Sequence, residues 1–593
     1  MLEKSIIFKE VRLMLKIPYG ISNFERIRMN NFLYVDKTHF IEKIEEIDYL
    51  IHLRPRRFGK SLFISMLENY YDVASADKFD ELFKGLYIHD HPTENRNNYY
   101  ILRFNFSGIQ NVEQSDLMKG FLRKVKNGVR GFISKYDLGL KVNESNSPAT
   151  VLDDFLSDFT ALKLPHKIYI LIDEYDHFTN SVLSGDGAEF LELLQRGGFV
   201  RSFYEVMKER AELGLVERIF ITGVMSVTLD SMTSGFNIAT KISTDKRFSD
   251  MMGFRSDEVE GLLRLSYTKP NTYDKLRFSE REAVQLTTEE QKIIYDVFRE
   301  NYNGYLFSER TDVKIFNSTL ILYYLSYYIQ EGVAPRNLVD PNLNQSSAMI
   351  ENIVGLKTPE SNYELIQEII EEKEIEGKFE PFIDIEKKFD QNDVITMLHS
   401  LGILTLKKSD YGTMFEIPNL IIRRIYLKYL SELKQRQIGY RIDTRKQTIA
   451  FSEIGRTGKV DKLTKIVEDI LMHTSNQNAL DLDEKHVKFC YFMQSYIAED
   501  FVVYDEFPSG KGYADLFIQK ANPSKAKYEV FIEFKYLTKS ATTDVSVEEK
   551  LHEGITQIEG YLKDKRIVNR EGLRKYVIVF SGYEAVKIHE IGV

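Results

Sequence analysis

Short apolar runs alternate with longer amphipathic stretches over roughly the first 250 residues of the chain. The stretches between the runs, for example residues 116–136 and 188–212, have the spacing of amphipathic helices. The apolar runs predict buried strands at residues 47–53, 99–106, 167–174 and 218–225. Strands that alternate with helices are typical of a parallel sheet covered on both faces, so an α/β domain is predicted over residues 1–250.

The pattern becomes mostly helical after this region. Amphipathic segments, which include the glutamate-rich stretch 361–377, predict helices up to about residue 375. Residues 391–430 then predict a helix, a hairpin with an Asp-Tyr-Gly turn, and a second helix. This order resembles a winged-helix module, and a generic helical lid accounts for it as well. We assign residues 251–450 to a helical lid and winged-helix-like region.

A third pattern of strands and helices follows a polar stretch near residues 440–460. A helix is predicted over residues 483–498, and a second helix over residues 548–563. Strand-like runs surround the second helix, at residues 500–507, 514–520, 528–536 and 576–583. Residues 451–593 are therefore predicted to form a compact α/β domain of their own.

Composition and charge fit several folded domains. A chain of 593 residues is too long for one hydrophobic core. With 43% hydrophobic and 28% charged residues, the composition is that of an ordinary soluble protein. The net charge of −10 argues against a nucleic-acid coat over the whole surface but leaves room for a local basic groove. The single cysteine, Cys490, excludes a disulfide within the chain and a cysteine-based metal cluster.

Membrane and export signals are not expected in this sequence. The most hydrophobic window, residues 315–329, is shorter than the roughly 20 apolar residues that a bilayer requires, so we expect a buried helix there. The N-terminus lacks the apolar centre and the small-residue cleavage site of a signal peptide. We therefore expect a cytoplasmic protein without a membrane partner.

The stretch RPRRFGKS at residues 54–61 ends like a phosphate-binding loop, although Arg54 stands where the pattern GxxxxGK[ST] has its first glycine. It follows a predicted strand and opens a predicted helix, as such a loop requires. Backbone N–H groups at this kind of turn wrap a phosphate, the lysine reaches the β- and γ-phosphates, and the hydroxyl binds Mg²⁺. Either Arg56 or Arg57 is a candidate for a cation beside the γ-phosphate. The predicted ATP-binding residues here are Arg56, Arg57, Phe58, Gly59, Lys60, Ser61 and Leu62.

An acidic pair at the end of another buried strand is the second requirement of such a site. The apolar run 168–172 leads into Asp173 and Glu174. Asp173 is predicted to hold the Mg²⁺ of the nucleotide together with Ser61, and Glu174 to polarise the attacking water. A buried strand that simply ends in two solvated acids is the alternative. Thr222, at the end of the next strand, is either a γ-phosphate sensor or an ordinary strand-end hydroxyl.

These motifs, with PYGISNFERIRMNNFLYVDKTHFIEKI at residues 18–44 and TGVMSVT at residues 222–228, resemble the AAA-ATPase-like family of bacterial and archaeal proteins. In that family the loop commonly reads RPRRFGKS, so the resemblance implies that Arg54 is a family trait. It also implies that the YVDKT segment, Tyr34 to Thr38, flanks the nucleotide. Members often carry a C-terminal PD-(D/E)XK nuclease domain, which implies an α/β restriction-endonuclease-like fold there.

A carboxylate and lysine pattern in the C-terminal region gives the second predicted site. Residues i and i+2 of a strand point to the same face, so Glu533 and Lys535 project together while Phe534 turns to the opposite side. Asp515 on the preceding strand can pair across to them, which is the D…ExK form of a metal-dependent nuclease. Spacing alone favours a cross-strand surface ion pair, whereas the apolar character of both strands favours a nuclease site.

Two further residues join this site by resemblance to the nuclease core. The helix that carries Gln557 resembles its QxxxY helix, and Glu484 matches an acidic residue that can join the metal site. Nearby alternatives to Glu484 are Asp481, Asp483 and Glu499. Asp515, Glu533 and Glu484 are predicted to bind Mg²⁺. Lys535 is predicted to orient the attacking water or help deprotonate it. Gln557 is predicted to contact Lys535 or the DNA backbone.

The sequence thus predicts an ATP-binding and ATP-hydrolysing domain fused to a Mg²⁺-dependent nuclease that cleaves DNA. The expected partners are nucleic acid, here DNA, and further copies of the chain in a homo-oligomer. Fold-level analogy suggests a role in defence against foreign DNA or in mobile-element maintenance. The alternatives are a nucleotide-switched protein whose nuclease fold only grips nucleic acid, and a structural or signalling ATPase without a nucleic-acid partner.

Overall fold

The structure is a computed structural model, and it falls into two compact units. One unit extends to Asn419 and the other begins at Leu420. The boundaries predicted near residues 250 and 450 stay predictions. The residues described are 15–109, 114–176, 198–225, 238–268, 283–340, 350–351, 353–354, 359–379, 390–478, 482–509, 512–521, 524–561, 567 and 570–592.

The first unit contains both helices and strands. Its described strands are β1 (Tyr49–Leu53), β2 (Tyr99–Asn105), β3 (Lys167–Asp173), β4 (Val216–Gly223), β5 (Thr240–Lys241), β6 (Ser266–Thr268), β7 (Ala283–Gln285), β8 (Glu374–Glu376), β9 (Thr405–Lys407) and β10 (Met414–Glu416). Its described helices are α1 (Phe24–Met29), α2 (Phe40–Glu45), α3 (Lys60–Tyr71), α4 (Phe79–Phe83), α5 (Tyr87–Asp90), α6 (Gln114–Lys135), α7 (Pro148–Ala161), α8 (Gly198–Glu212), α9 (Ser256–Leu263), α10 (Thr288–Asn301), α11 (Ser318–Glu331), α12 (Pro359–Glu372) and α13 (Gln391–Ser400). Short 3₁₀ helices span Val73–Lys78 and Lys246–Phe248.

Five parallel strands form the main sheet of this unit, in the order β2-β3-β4-β1-β5. β3 and β4 are buried along almost their whole length, as expected for strands covered on both faces. α3 packs on one face, where Phe63 contacts Phe220 of β4. The parallel sheet predicted for the N-terminal region is confirmed. Because β1, β4 and β3 are neighbouring parallel strands, the segments that follow β1 and β3 emerge at the same edge of the sheet.

A small antiparallel sheet lies later in the first unit. α13 leads into the hairpin β9–β10, and β8 pairs with the other side of β10. The predicted helix and hairpin are present, and the winged-helix likeness stays a prediction. The helical pattern predicted up to about residue 375 ends a few residues earlier, at Glu372. Lys373 has a φ of 64°, which stops α12, and the next residues form β8 instead.

The most hydrophobic window of the sequence forms α11. Asn317 caps this helix with its side chain, which accepts a hydrogen bond from the Leu320 N–H. The face that carries Ile321, Tyr324 and Leu325 is buried, so the buried helix expected here is confirmed. Within the described ranges, no helix combines the length and the apolar character that a bilayer crossing requires.

The second unit has a five-stranded sheet whose strands lie in sequence order. Its strands are β11 (Phe501–Ser509), β12 (Gly512–Lys520), β13 (Glu529–Leu537), β14 (Leu573–Ser581) and β15 (Glu584–Glu590). Its described helices are α14 (Leu420–Ile438), α15 (Thr444–Thr457), α16 (Asp461–Asn478), α17 (Glu484–Met493) and α18 (Asp544–Tyr561), with 3₁₀ helices at Gln494–Ile497 and Lys539–Ala541. β13 and β14 are parallel and α18 connects them, whereas the other neighbouring strands are antiparallel.

Helices cover this second sheet on both faces. α18 packs against the face that carries Phe531 and Val577. Its approach is close, because a Cβ added to Gly554 would lie 2.6 Å from the Val577 side chain. On the other face, Tyr491 of α17 packs with a centroid distance of 4.7 Å against Phe534. The compact α/β unit predicted at the C-terminus is confirmed.

Candidate nucleotide and nuclease sites

The loop between β1 and α3 has the backbone of an anion cradle. Arg57 and Gly59 take left-handed conformations, with φ of 74° and 96°, on either side of Phe58. Alternation of this kind turns successive N–H groups to one side, where they can surround an anion. α3 begins directly after Gly59, so the positive end of its dipole adds to the attraction.

Contacts from elsewhere in the unit hold this loop in shape. The Arg57 carbonyl accepts hydrogen bonds from the Thr319 N–H at 3.3 Å and the Thr319 hydroxyl at 2.8 Å. The Phe58 carbonyl accepts one from the Gly253 N–H at 2.9 Å. The Phe58 ring packs edge-on against an aromatic pair, Tyr305 and Phe307. Contacts within the unit therefore fix the backbone of the cradle.

Arg54 fixes the start of the loop. It does not line the cleft that opens in front of the anion cradle. Its guanidinium is buried and stacks 4.1 Å from the centroid of the Phe307 ring. It donates hydrogen bonds to the carbonyls of Leu53 (2.9 Å), Ser243 (2.6 Å), Phe248 (3.1 Å) and Ser249 (3.4 Å). The residue at the first-glycine position thus joins the loop to the segment after β5. The local sequence carries no signal for this role.

A cleft of about 620 Å³ opens in front of the cradle, within the size range of small-molecule sites. Tyr34 and Lys37 of the YVDKT segment line it from another side. Among the described residues, Arg56 and Arg57 form no ion pair, although both line the cleft. The predicted nucleotide-site residues that line it are Arg56, Arg57, Phe58, Gly59, Lys60, Ser61, Leu62 and Glu174.

Lys60 is held by the loop itself. Its ammonium donates to the carbonyls of Arg54 at 2.8 Å and Pro55 at 2.9 Å. Burial lowers its pKa to about 8, against the opposing charges of Asp176 and Asp173. A buried ammonium that is satisfied only by carbonyls gains from an anion, so a phosphate in the cleft would be a favourable partner.

Asp173, at the end of β3, has a buried carboxylate. Neither of its oxygens has a hydrogen-bond partner among the described residues. Burial raises its pKa, and the Ser61 hydroxyl lies near enough to oppose that rise without reaching hydrogen-bonding geometry. Unpartnered carboxylate oxygens beside a hydroxyl fit the oxygen ligands that Mg²⁺ prefers. The Mg²⁺ roles of Ser61 and Asp173 stay predictions.

The other acids and the threonine near β3 and β4 differ in position. Glu174 lines the cleft and has a φ of 51°. Asp176, which sequence reasoning did not single out, also lines the cleft and accepts hydrogen bonds from the N–H groups of Val224 and Met225. Thr222 is buried, and its hydroxyl donates to the His52 carbonyl at 2.7 Å. It does not line the cleft, so its role as a γ-phosphate sensor stays a prediction.

The second predicted site lies where β12 and β13 separate. The two strands pair from Leu516 opposite Ile532 to Ile518 opposite Val530. Just beyond this pairing, the Asp515 carboxylate accepts a hydrogen bond from the Phe534 N–H at 2.8 Å. The structure therefore brings Asp515 to the strand that carries Glu533 and Lys535.

Glu533 and Lys535 form a buried ion pair. The Lys535 ammonium donates to Glu533 Oε1 and to the Phe534 carbonyl, both at 2.9 Å. Glu533 Oε2 has no partner among the described residues. Burial and the neighbouring Asp515 charge raise the pKa of Glu533 to about 7, against the opposing charge of Lys535. The pair is not a surface ion pair, because the two side chains are only 3% and 4% exposed.

α18 brings two polar residues towards these charges. Gln557 Oε1 is buried without a hydrogen-bond partner in the described part of the chain. Burial raises the pKa of Tyr561 to about 12, and the negative charges of Glu533, Asp515 and Glu484 act in the same direction. The sequence also predicts that the glycine-rich turn at residues 510–512, with Lys511, approaches a phosphate, but Gly510 and Lys511 lie outside the described residues.

Comparison with known proteins gives one family match around each of the two predicted sites. Residues 18–233 match the AAA-ATPase-like family, described as "Predicted AAA-ATPase". Residues 482–590 match the PD-(D/E)XK nuclease superfamily. The chain carries an AAA-ATPase-like domain and a PD-(D/E)XK nuclease-superfamily domain. We call these residue ranges the AAA-like domain and the nuclease-like domain.

A curated relative is known from Azotobacter chroococcum mcd 1, where it is named "Uncharacterized protein in vnfD 5'region". It is 28% identical to this chain over 249 residues. The match covers 42% of this chain and 44% of the relative, so it spans less than half of either protein.

Lys488 is a residue of the nuclease-like domain that sequence reasoning missed. It lies on α17, one helical turn after Glu484, and its ammonium is 2.8 Å from Asp515 Oδ1. A spacing of four residues on a helix places two side chains on one face, which was the available signal. Burial raises the pKa of Glu484, and the charge of Lys535 opposes the rise, so Glu484 belongs to the same group of charges.

The carboxylates of the nuclease-like domain fit a metal in part. Within the described ranges, no group of three or more His, Cys, Asp or Glu side chains is arranged to hold a metal ion. Asp515 is already engaged by Lys488 and by the Phe534 N–H, whereas Glu533 keeps one unpartnered oxygen. Two carboxylates and the Phe534 carbonyl are donors of the kind that Mg²⁺ prefers. The metal roles of Glu484, Asp515 and Glu533 stay predictions.

Proposed function

We propose that the AAA-like domain binds and hydrolyses ATP with Mg²⁺, and that the nuclease-like domain cleaves DNA phosphodiester bonds with Mg²⁺. The presence of both domains supports enzymatic activity in general terms. The cleavage of DNA, the cytoplasmic location, the homo-oligomer and a role in defence or mobile-element maintenance are parts of this proposal.

In the AAA-like domain, the chain itself supplies the groups that ATP hydrolysis requires. The cradle at Gly59 holds the phosphates, and Lys60 leaves the carbonyls of its own loop to reach the β- and γ-phosphates. Ser61 and Asp173 hold Mg²⁺, which neutralises phosphate charge when it is bound. Glu174 orients the attacking water, and either Arg56 or Arg57 of the loop supplies a cation beside the γ-phosphate.

The ATPase proposal rests on one observation, the buried carboxylate of Asp173, which has no hydrogen-bond partner among the described residues. A buried carboxylate with two unpartnered oxygens costs stability, because burial disfavours its charge. Structures keep such groups mainly at functional sites, where a ligand completes them. The neighbouring Ser61 and Lys60 are the partners that a magnesium nucleotide requires.

This reasoning can be tested with Asp173→Asn, which removes the charge and keeps the shape. We expect the variant to lose Mg²⁺-dependent ATP turnover while its melting temperature without nucleotide is equal to that of the wild type or higher. Phosphate release and calorimetry measure the two quantities. A variant that melts earlier and still turns over ATP would show that Asp173 has a structural role instead.

In the nuclease-like domain, Asp515 and Glu533 hold Mg²⁺, with Glu484 as a third acid nearby. Lys535 is fixed between Glu533 and the Phe534 carbonyl, so its ammonium is positioned to orient the attacking water. Gln557 has a buried acceptor oxygen that can hold Lys535. Hydrolysis adds water across the P–O bond, and a Mg²⁺ held by Asp515 and Glu533 would supply positive charge beside the phosphate.

Cleavage of labelled duplex DNA by the full chain tests this second part. Asp515→Ala and Glu533→Ala are expected to lose Mg²⁺-dependent cleavage by at least about a hundredfold, the scale of other catalytic losses. Glu549→Ala removes an exposed acid of α18 and serves as the matched control. Cleavage that survives in both active-site variants would contradict the assignment.

One observation favours the alternative in which the nuclease fold grips nucleic acid without cleaving it. Both acids of the site are engaged by lysines in the structure. In that case the wild-type chain would bind DNA with an affinity that falls steeply with salt, because phosphate contacts release counterions. It would show no cleavage under any nucleotide or metal condition.

A further inference from the structure

Lys488 contacts Asp515, one of the proposed metal ligands. Its ammonium is 2.8 Å from Asp515 Oδ1 and 3.9 Å from Glu506 Oε1. The second oxygen of Asp515 is bound to the Phe534 N–H. Each oxygen of the carboxylate therefore has one donor among the described residues, and a cation at Oδ1 would compete with the Lys488 ammonium for Asp515.

The two lysines of this site differ in their freedom to move. The Lys535 side chain is 4% exposed and is held by two acceptors, Glu533 Oε1 and the Phe534 carbonyl. The Lys488 side chain is 21% exposed, and its ammonium has one short contact with the described residues, that with Asp515. Lys488 is thus the cation that can leave, whereas Lys535 is built into the strand.

A departing ammonium needs a new anion, and the proposed substrate supplies one. Lys488 projects from α17 beside the carboxylates, so a nucleic-acid phosphate that reaches the metal ligands also comes within reach of this flexible side chain. Phosphates are the dominant partners of lysines in nucleic-acid binding. The exchange keeps the ammonium paired and frees Asp515.

We propose that Lys488 is a positioning residue that occupies Asp515 in the resting protein and moves to a substrate phosphate, so that nucleic acid and the metal ion bind cooperatively. This proposal rests on the proposed nuclease function. It implies that the resting site binds a divalent cation weakly, which limits cleavage to moments when a substrate is in place. By linkage, the metal ion strengthens nucleic-acid binding by the same factor.

Metal binding can be measured directly, without reference to cleavage. The full chain, without nucleotide, is titrated with Mn²⁺ and free Mn²⁺ is followed by electron paramagnetic resonance. The ion that is lost in Asp515→Ala identifies the site. The titration is repeated with a short phosphorothioate DNA duplex, chosen to resist cleavage.

Three variants of α17 separate the proposal from a general charge effect. Lys488→Met removes the competing cation and should tighten Mn²⁺ binding at this site without DNA by about tenfold, or about 1.4 kcal/mol. The duplex should then no longer strengthen Mn²⁺ binding, whereas in the wild type it strengthens it by a similar factor. Lys488→Arg keeps a mobile cation and should restore the coupling. Lys485→Met makes the same charge change at an exposed position of the same helix and should behave like the wild type.

The outcomes distinguish this inference from the nuclease assignment. Equal Mn²⁺ affinity in Lys488→Met, Lys485→Met and the wild type would overturn the role of Lys488, even if the wild type cleaves DNA. So would a coupling to DNA that persists in Lys488→Met. A wild-type chain that shows no Mn²⁺ site dependent on Asp515, with or without DNA, would overturn the metal-dependent nuclease itself. Calorimetry on Lys488→Met checks that the unit remains folded.

Discussion

Replacing Arg54 with glycine would give the loop the residue that the phosphate-binding pattern has at its first position. We expect this change to destabilise the first unit. Arg54 donates to four carbonyl groups, three of them between Ser243 and Ser249, and stacks on Phe307. Glycine can form none of these contacts, so the loop would lose its side-chain hydrogen bonds to the Ser243, Phe248 and Ser249 carbonyls.

The size of the effect follows from the contacts that disappear. A hydrogen bond from a charged donor contributes about 1.5 kcal/mol or more net, and the contact with the ring adds about 1 kcal/mol. The longest of the four bonds, to the Ser249 carbonyl at 3.4 Å, is weak. Water that enters the vacated space restores part of the loss, so we expect a loss of about 4 kcal/mol in the free energy of unfolding. For a unit of this size, the melting temperature should fall by about 5 °C.

Differential scanning calorimetry on the full chain measures this change. Nucleotide is left out, because a ligand that binds the folded state would raise the melting temperature by itself. Arg56→Gly is the matched control: it also replaces a loop arginine with glycine, but Arg56 lines the cleft without an ion pair among the described residues. Its melting temperature should stay within about 2 °C of the wild type.

Two results would refute this explanation of Arg54. One is an Arg54→Gly variant that melts at the wild-type temperature, which would mean that the buried guanidinium adds no net stability. The other is an equal loss in Arg56→Gly, which would assign the effect to glycine in the loop and not to the contacts of Arg54.

Three further predictions concern single side chains of the first unit. Arg56→Ala should lower kcat for ATP by at least about tenfold with little change in melting temperature, because it removes a cation from the cleft; unchanged phosphate release would contradict this. Gly304→Ala should lower the free energy of unfolding by about 2 kcal/mol, since the φ of Gly304 is 100° and the new Cβ would lie 1.8 Å from the Pro418 carbonyl oxygen. Gly131→Ala, at an open helix surface, should instead raise it by up to about 1 kcal/mol. Calorimetry compares the two variants, and equal melting temperatures would contradict this prediction. Burial lowers the pKa of His399 to about 4 from 6.5, so its neutral form stabilises the fold above pH 6.5 and that stability is lost as the pH falls towards 4. His399→Gln should therefore reduce the acid sensitivity of unfolding by up to about 3 kcal/mol, and parallel pH profiles of variant and wild type would contradict this.

Local sequence was sufficient for the features that depend on local geometry. The order of strand, loop and helix around Gly59 and Lys60 is predicted by a short local motif. The alternation of side chains along a strand was enough to place Glu533 and Lys535 together, and the ion pair between them agrees with it. These features need no information about distant residues.

Features that depend on distant partners could not be predicted from the sequence. Arg54 finds three of its four carbonyl partners almost 200 residues later in the chain, because β5 lies beside β1. Thr222 ends a strand as expected, but the register of β4 with β1 gives its hydroxyl to the His52 carbonyl. The contact between Lys488 and Asp515 depends on how α17 lies against the sheet. The glutamate-rich helix was extended too far, because pairing with β10 overrides the helical pattern at residues 374–376.

The central claim is that two separate chemistries reside in this one chain. The most direct test compares Lys60→Ala and Lys535→Ala with the wild type on labelled duplex DNA, with and without ATP and Mg²⁺, and records ATP turnover and DNA cleavage in the same samples. We predict that Lys60→Ala loses ATP turnover, and that Lys535→Ala keeps ATP turnover but loses cleavage. Normal ATP turnover in Lys60→Ala, or undiminished cleavage in Lys535→Ala, would contradict the account.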